Sequence, residues 1–279
     1  MHALLLSVAL AASPDPFAHP PEPPEPADLA AEPGAARDPS VYRVGKLDLG
    51  VTALAAAGAL GPNQFPTRLI RPACAAPGSC PASSINPFDR IAVDFHSKAA
   101  DTASTVTVGL AVAVPAIADG LRLGNVPAFH EDLLVLAETV AVNAALVTGV
   151  KYLVQRPLPV TYARRDGLPA EAQGYRSFYS GHTSTAVAAL TASAWTLHLR
   201  DGPSAWPWIV TAAVGASVGA ERVLAGRHFP TDVLVGGAAG FAVGTAIPWL
   251  HARRPSRRGV VGRLELVPAT GGLALSGAW

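Results

Sequence analysis

Residues 221–250 read ERVLAGRHFPTDVLVGGAAGFAVGTAIPWL: a helix end closing on Glu221 and Arg222, a polar turn holding His228, and a run from Val233 to Leu250 without a charge. Pro230 falls where a helix start favours it. The 18 uncharged residues would span about 27 Å as a helix, close to the hydrocarbon core of a bilayer. Directly after Trp249 comes HARRPSRR, whose Arg253, Arg254, Arg257 and Arg258 mark that end as cytoplasmic by the positive-inside rule.

Working outward, apolar stretches at 47–60, 103–119, 131–154, 183–199 and 206–224 repeat this character, each set off by Pro, Gly or charged breaks. Threaded up and down, the last three helices bring Trp195, Trp206, Trp208 and Trp249 to one end, as an interfacial aromatic belt requires. The 47–60 stretch is too short to span. The whole composition agrees: of 279 residues 50% are hydrophobic and only 15% charged, against about 25% in an ordinary soluble domain. A net charge of +1 leaves no electrostatic basis for binding nucleic acid. The expectation is an all-α, membrane-embedded bundle of five to six helices, with a soluble helical bundle as the rival.

The ends of the chain differ from this core. Residues 1–12 form a signal-peptide-like apolar run, and 13–45 a Pro-rich linker. The helical domain is expected over 46–251, and 252–279 carries the basic stretch and a tail whose alternation about ATGG reads as a small β-hairpin. Cys74 and Cys80 have no neighbouring ligands to complete a zinc site; a disulfide between them is the natural reading outside the cytoplasm. Neither a metal nor a cofactor is expected. Glu138 and Asn143 read as contacts between helices, His198, Arg200 and Asp201 as a solvated turn, and Asp89, Asp94 and His96 as loop and capping residues.

Polar groups that apolar helices exclude gather at the outward end in three places: Lys151 and Arg156 in VKYLVQRPLP, Ser180, Gly181 and His182 in SFYSGHTS, and Arg222, His228 and Asp232 in ERVLAGRHFPTD. A helix start offers free amides to a phosphate, and Lys151 and Arg222 add fixed positive charge. His228 and Asp232 lie four positions apart, so the carboxylate can hold one imidazole nitrogen while the other attacks phosphorus. His182 remains as general acid.

These motifs resemble the type 2 phosphatidic acid phosphatase superfamily, which shares its helical core with the vanadium-dependent haloperoxidases. The resemblance covers about residues 95–250 and rests on two spaced elements in order, Ser180-Gly181-His182 and Arg222 through His228 to Asp232. It implies a phosphohistidine on His228, with His182 and Asp232 assisting and Lys151, Arg222, Ser180, Gly181 and Arg156 around the phosphate. Leu158 stands where the family has a second phosphate-clamping Arg; Arg156, Arg164, Arg165 and Arg176 are the substitutes within reach along the chain. Tyr179 and Glu221 replace a Pro and a Ser of the pattern.

The resemblance implies hydrolysis of a lipid phosphate monoester or an isoprenoid-type diphosphate, and the cytoplasmic arginines after Trp249 put the site at the outer, periplasmic face of a bacterial-type inner membrane. The rival suggested by Leu158 is a catalytically impaired membrane protein that binds a lipid phosphate. Vanadate-dependent halide oxidation in the same pocket is the third reading, and the missing Arg weighs against it.

Overall fold

The computed structural model describes residues 39–71, 80–162, 172–253, 264–269 and 272–277. The signal-peptide and most of the linker expectations, Cys74, Arg164 and Arg165 lie outside them. Six long helices follow one another: α1 (Lys46–Leu60), α2 (Lys98–Leu123), α3 (Pro127–Val154), α4 (Gly181–Asp201), α5 (Trp206–Leu224) and α6 (Pro230–His251). Each contains one of the six apolar stretches read from the sequence. Val126 and Ala205 precede a Pro at the first turns of α3 and α5, and Gly124 and Gly202 stop α2 and α4 in conformations that only glycine adopts without strain.

Among the described residues three helices, α2, α3 with its continuation to Tyr162, and α6, are long and apolar enough to cross a membrane. α1 is not among them. Leu110, Val114, Ile117 and Leu121 of α2 and Leu234 and Phe241 of α6 are exposed, the pattern of a lipid-facing surface. The chain is a membrane protein with an all-α core.

The helices run up and down. At one end Thr148 Oγ1 of α3 donates to Ala59 O of α1 (3.2 Å), the Ser180 amide donates to Asp232 O (3.0 Å), and Arg222 of α5 meets Asp101 of α2 (2.5 Å). At the other, Arg122 of α2 pairs with Asp201 of α4 and Arg253 with Glu131. Trp195 and Trp208 pack edge to face at that second end, 5.4 Å between centroids, with Trp206 and Trp249 exposed beside them.

α4 is the central helix, touching α2, α3, α5 and α6. It can occupy that place because its buried face is nearly all Ala, Ser and Thr, and because α6 meets it with Gly236, Gly240 and Gly244. A Cβ on Gly240 would stand 2.3 Å from Ser184 O, so the two backbones approach as only glycine allows. Asn143 of α3 bonds Ser184 and Thr185 of α4, the interhelical contact expected of it.

Two expectations need correction. The linker does not run to residue 45: the compact unit begins at Pro39, and Tyr42 is fully buried, bridging to Ala252 and hydrogen-bonded to Thr196 (2.9 Å). Arg200 is not a solvated turn residue; only 7% of its side chain is exposed, because Asp119 and Asp132 hold both of its terminal nitrogens. In the tail, β1 (Leu264–Ala269) and β2 (Gly272–Gly277) pair antiparallel, Leu264 opposite Gly277. Cys80 is disulfide-bonded.

Candidate active site

At the end opposite the tryptophans lies a cavity of about 490 Å³, lined by Lys151, Arg176, Gly181, His182, Arg222, Arg227 and His228 with Asp101, Thr105 and Leu158. Four cations face it against one carboxylate. Its parts come from the ends of α2, α3, α4 and α5, which explains why residues far apart in sequence converge.

His228 sits in the α5–α6 turn, where Gly226 takes φ +66° beneath the Phe95 carbonyl. The imidazole is buried, and its Nδ1–H donates to Ser177 O (2.7 Å). That bond fixes the tautomer and leaves Nε2 with a lone pair. Burial, aided by the cationic Lys151 and Arg222 and opposed by Asp232, pushes the His228 pKa down to about 3, so the ring is neutral at ordinary pH. A neutral, oriented imidazole is what nucleophilic attack requires.

Asp232 does not hold the ring as the spacing suggests. Its Oδ2 stands 3.8 Å from Nδ1, beyond hydrogen-bond reach, and instead accepts from Ser177 Oγ (2.5 Å) and the Phe229 amide (2.9 Å). Asp232 therefore fixes the Ser177 segment whose carbonyl orients His228, and adds a negative charge behind the ring.

Arg156 is not a pocket group. Its guanidinium lies over the Phe229 ring at 4.0 Å and bridges Asp232 (2.5 Å) and Asp89 (2.8 Å). Asp89, read from sequence as a loop residue, is fully buried and also accepts from the Thr231 amide (2.9 Å) and hydroxyl (2.7 Å). Burial alone would raise the Asp89 carboxyl; the bonds from Arg156 and Thr231 outweigh it and hold it below the usual carboxylate range. The ion pairs thus brace the start of α6 from behind the cavity.

Ser180 is likewise behind the wall. It is fully buried and caps α4, its Oγ accepting from the Thr183 amide (3.4 Å) and bonding Thr183 Oγ1 (2.9 Å). Gly181 and His182 do line the cavity, and the amides of such a first turn have no partner within their helix. His182 Nε2 lies 3.3 Å from Thr105 Oγ1.

Arg222 donates Nη1 to Asp101 (2.5 Å) and Ser104 (3.0 Å), while its buried Nε has no partner among the described residues. Arg227 shares Asp101 at 2.9 Å. Lys151 bonds the Arg176 carbonyl. Leu158 occupies the wall where the pattern has Arg, and Arg176, steadied by Asn63 and Tyr152, lines the same cavity. Asp101, Ser177 and Arg227 were not singled out from sequence; their one available signal was an acid in a first helical turn and a polar residue beside each motif.

Residues 132–256 match the family model of the PAP2 superfamily. A lipid A 1-phosphatase of Porphyromonas gingivalis is 35% identical over 112 residues, 39% of this chain; the match spans only 22% of that relative's length. Among solved structures, the transmembrane PAP2 type phosphatidylglycerolphosphate phosphatase of Bacillus subtilis aligns over 73% of this chain and 94% of its own, with TM-score 0.45 and 17% identity. LpxE of Aquifex aeolicus aligns over 57% and 90%, with TM-score 0.39 and 22% identity.

Proposed function

From the match of residues 132–256 to the PAP2 superfamily, we propose that this membrane protein is a phosphatase acting on a lipid phosphate monoester or diphosphate. The observation that carries the reading is His228: neutral, held through Nδ1 by the Ser177 carbonyl, and set in a wall with four cations. The Nε2 lone pair attacks phosphorus; the N–P bond forms as the P–O bond to the lipid breaks. His182, whose pKa burial and then Arg222 push down to about 4 in the empty protein, gains a proton as the substrate's negative charge enters and gives it to the leaving oxygen. Water then attacks phosphorus, losing a proton to His182, and orthophosphate leaves with His228 neutral again.

The Gly181 and His182 amides are donors for the equatorial oxygens, where charge grows in the transition state, and Arg222, which lines the cavity, adds its positive charge beside them. Arg176 and Arg227 supply the positive charge that Leu158 lacks. Placement at the outer face of an inner membrane is supported by the disulfide at Cys80, which leads into the segment packed on the site, and by Arg253, Arg254, Arg257 and Arg258 beyond α6.

The test is phosphate release by detergent-purified protein from a panel of lipid phosphates and diphosphates. Wild type is expected to release phosphate, His228→Ala to lose at least about three orders of magnitude, and rapid alkaline quenching of wild type to trap a phosphorylated chain whose label is lost in acid, as an N–P bond requires. Activity undiminished in His228→Ala overturns the mechanism. No release by wild type but release by Leu158→Arg identifies the lipid-phosphate binder instead.

A further inference from the structure

At the opposite end of the bundle three groups that sequence leaves far apart come together: Asp48 in the first turn of α1, Glu138 on α3 and His251, the last residue of α6. Their ligand atoms all lie within 4.8 Å of one another. His251 Nε2 is 3.3 Å from Asp48 Oδ1 and 3.5 Å from Glu138 Oε2. Ligand atoms arranged tetrahedrally around one zinc ion stand about 3.3 Å apart, so the two distances from His251 already match.

Two further observations point to a cation. Glu138 is 4% exposed, and its Oε2, which faces the imidazole, accepts no hydrogen bond among the described residues. A carboxylate oxygen buried in this way is costly unless something positive meets it. His251 Nδ1 lies 2.8 Å from Ile247 O, and a proton donated there leaves the Nε2 lone pair aimed at two carboxylates. An imidazole whose far nitrogen is anchored to a carbonyl is the usual arrangement of a metal-bound histidine. The charges acting on Glu138 are those of His251 and Asp48, so two carboxylates face a single imidazole.

We propose that Asp48, Glu138 and His251 form a divalent-cation site of the zinc type, separate from the phosphatase cavity, that ties α1 to α3 and α6. One nitrogen and two carboxylate oxygens suit zinc better than magnesium or calcium, which take oxygen ligands alone. Water completes the coordination. The ion secures α1, a helix too short to be held by spanning the bilayer.

The experiment uses the tag-free full-length chain in detergent, stripped with a chelator and then equilibrated with Zn²⁺. Wild type and His228→Ala are expected to retain one zinc per chain and to gain thermal stability with it. Glu138→Gln and His251→Gln are expected to bind at least about 100-fold more weakly and to show no zinc-dependent shift in Tm. Zinc absent from wild type, or retained equally by both variants, overturns the proposal. Should the variants not fold, X-ray absorption on zinc-loaded wild type decides: one imidazole among oxygen ligands is expected, and a shell with two or more imidazoles or with sulfur overturns it.

Discussion

Arg222 at the cavity and Arg200 at the opposite end are buried alike, each side chain 7% exposed, yet they are used differently. Arg200 spends both terminal nitrogens on carboxylates, Asp119 and Asp132. Arg222 gives one nitrogen to Asp101 and Ser104 and leaves Nε in the protein interior without a partner among the described residues. A buried donor left open is destabilising, which fits the anion-binding role proposed for Arg222, whereas a buried donor fully matched holds helices together. The same contrast separates Arg156, saturated by Asp89 and Asp232, from the pocket arginines it was grouped with by sequence.

The sharpest way to break this contrast is Arg200→Ala. It strands Asp119 and Asp132, and the expected loss of stability is about 3–5 kcal/mol, read as a lowered Tm in detergent, with activity per folded molecule retained. Lost activity at unchanged Tm would place Arg200 on the functional side. Arg222→Ala is the converse: phosphate release is expected to fall about 10²–10³-fold, as for an oxyanion donor, with Tm little changed.

His228 sharpens the comparison through pH. Its pKa is near 3 in the folded chain and about 6.5 when unfolded, so between those values the unfolded state binds one more proton. Stability is therefore expected to rise with pH across that window and to level off above it. His228→Ala should remove up to about 1.4 kcal/mol per pH unit of that slope, measured as Tm against pH. An unchanged slope would mean the ring is solvated and able to charge. The smallest effect belongs to Arg122→Ala, which breaks an exposed pair with Asp201: at most about 1 kcal/mol, and nothing in the assay.

Helix positions were legible in sequence because each is recorded locally, in a run of apolar residues ended by Pro, Gly or charge; all six stretches lie within helices. The cavity residues His182, His228, Lys151, Arg222 and Gly181 were legible because they sit within spaced motifs at helix ends. Asp101, Ser177, Arg227 and Asp89 were not, since their partners are remote: Arg222 lies 121 residues from Asp101, and Thr231 lies 142 from Asp89. Ser180 and Arg156 were placed at the phosphate by position alone, and their side chains turn the other way to cap α4 and to brace Asp232.

By itself the sequence determined that this is an apolar helical chain with histidines and cations at one end, because hydrophobic period, helix termini and motif spacing are properties of neighbouring residues. The tertiary structure alone decided which cations are open and which are saturated, that a carbonyl rather than Asp232 orients His228, and that Asp48, Glu138 and His251 meet. Those outcomes depend on how separate helices pack against one another, and no pattern along one segment encodes the partner a side chain finds across another.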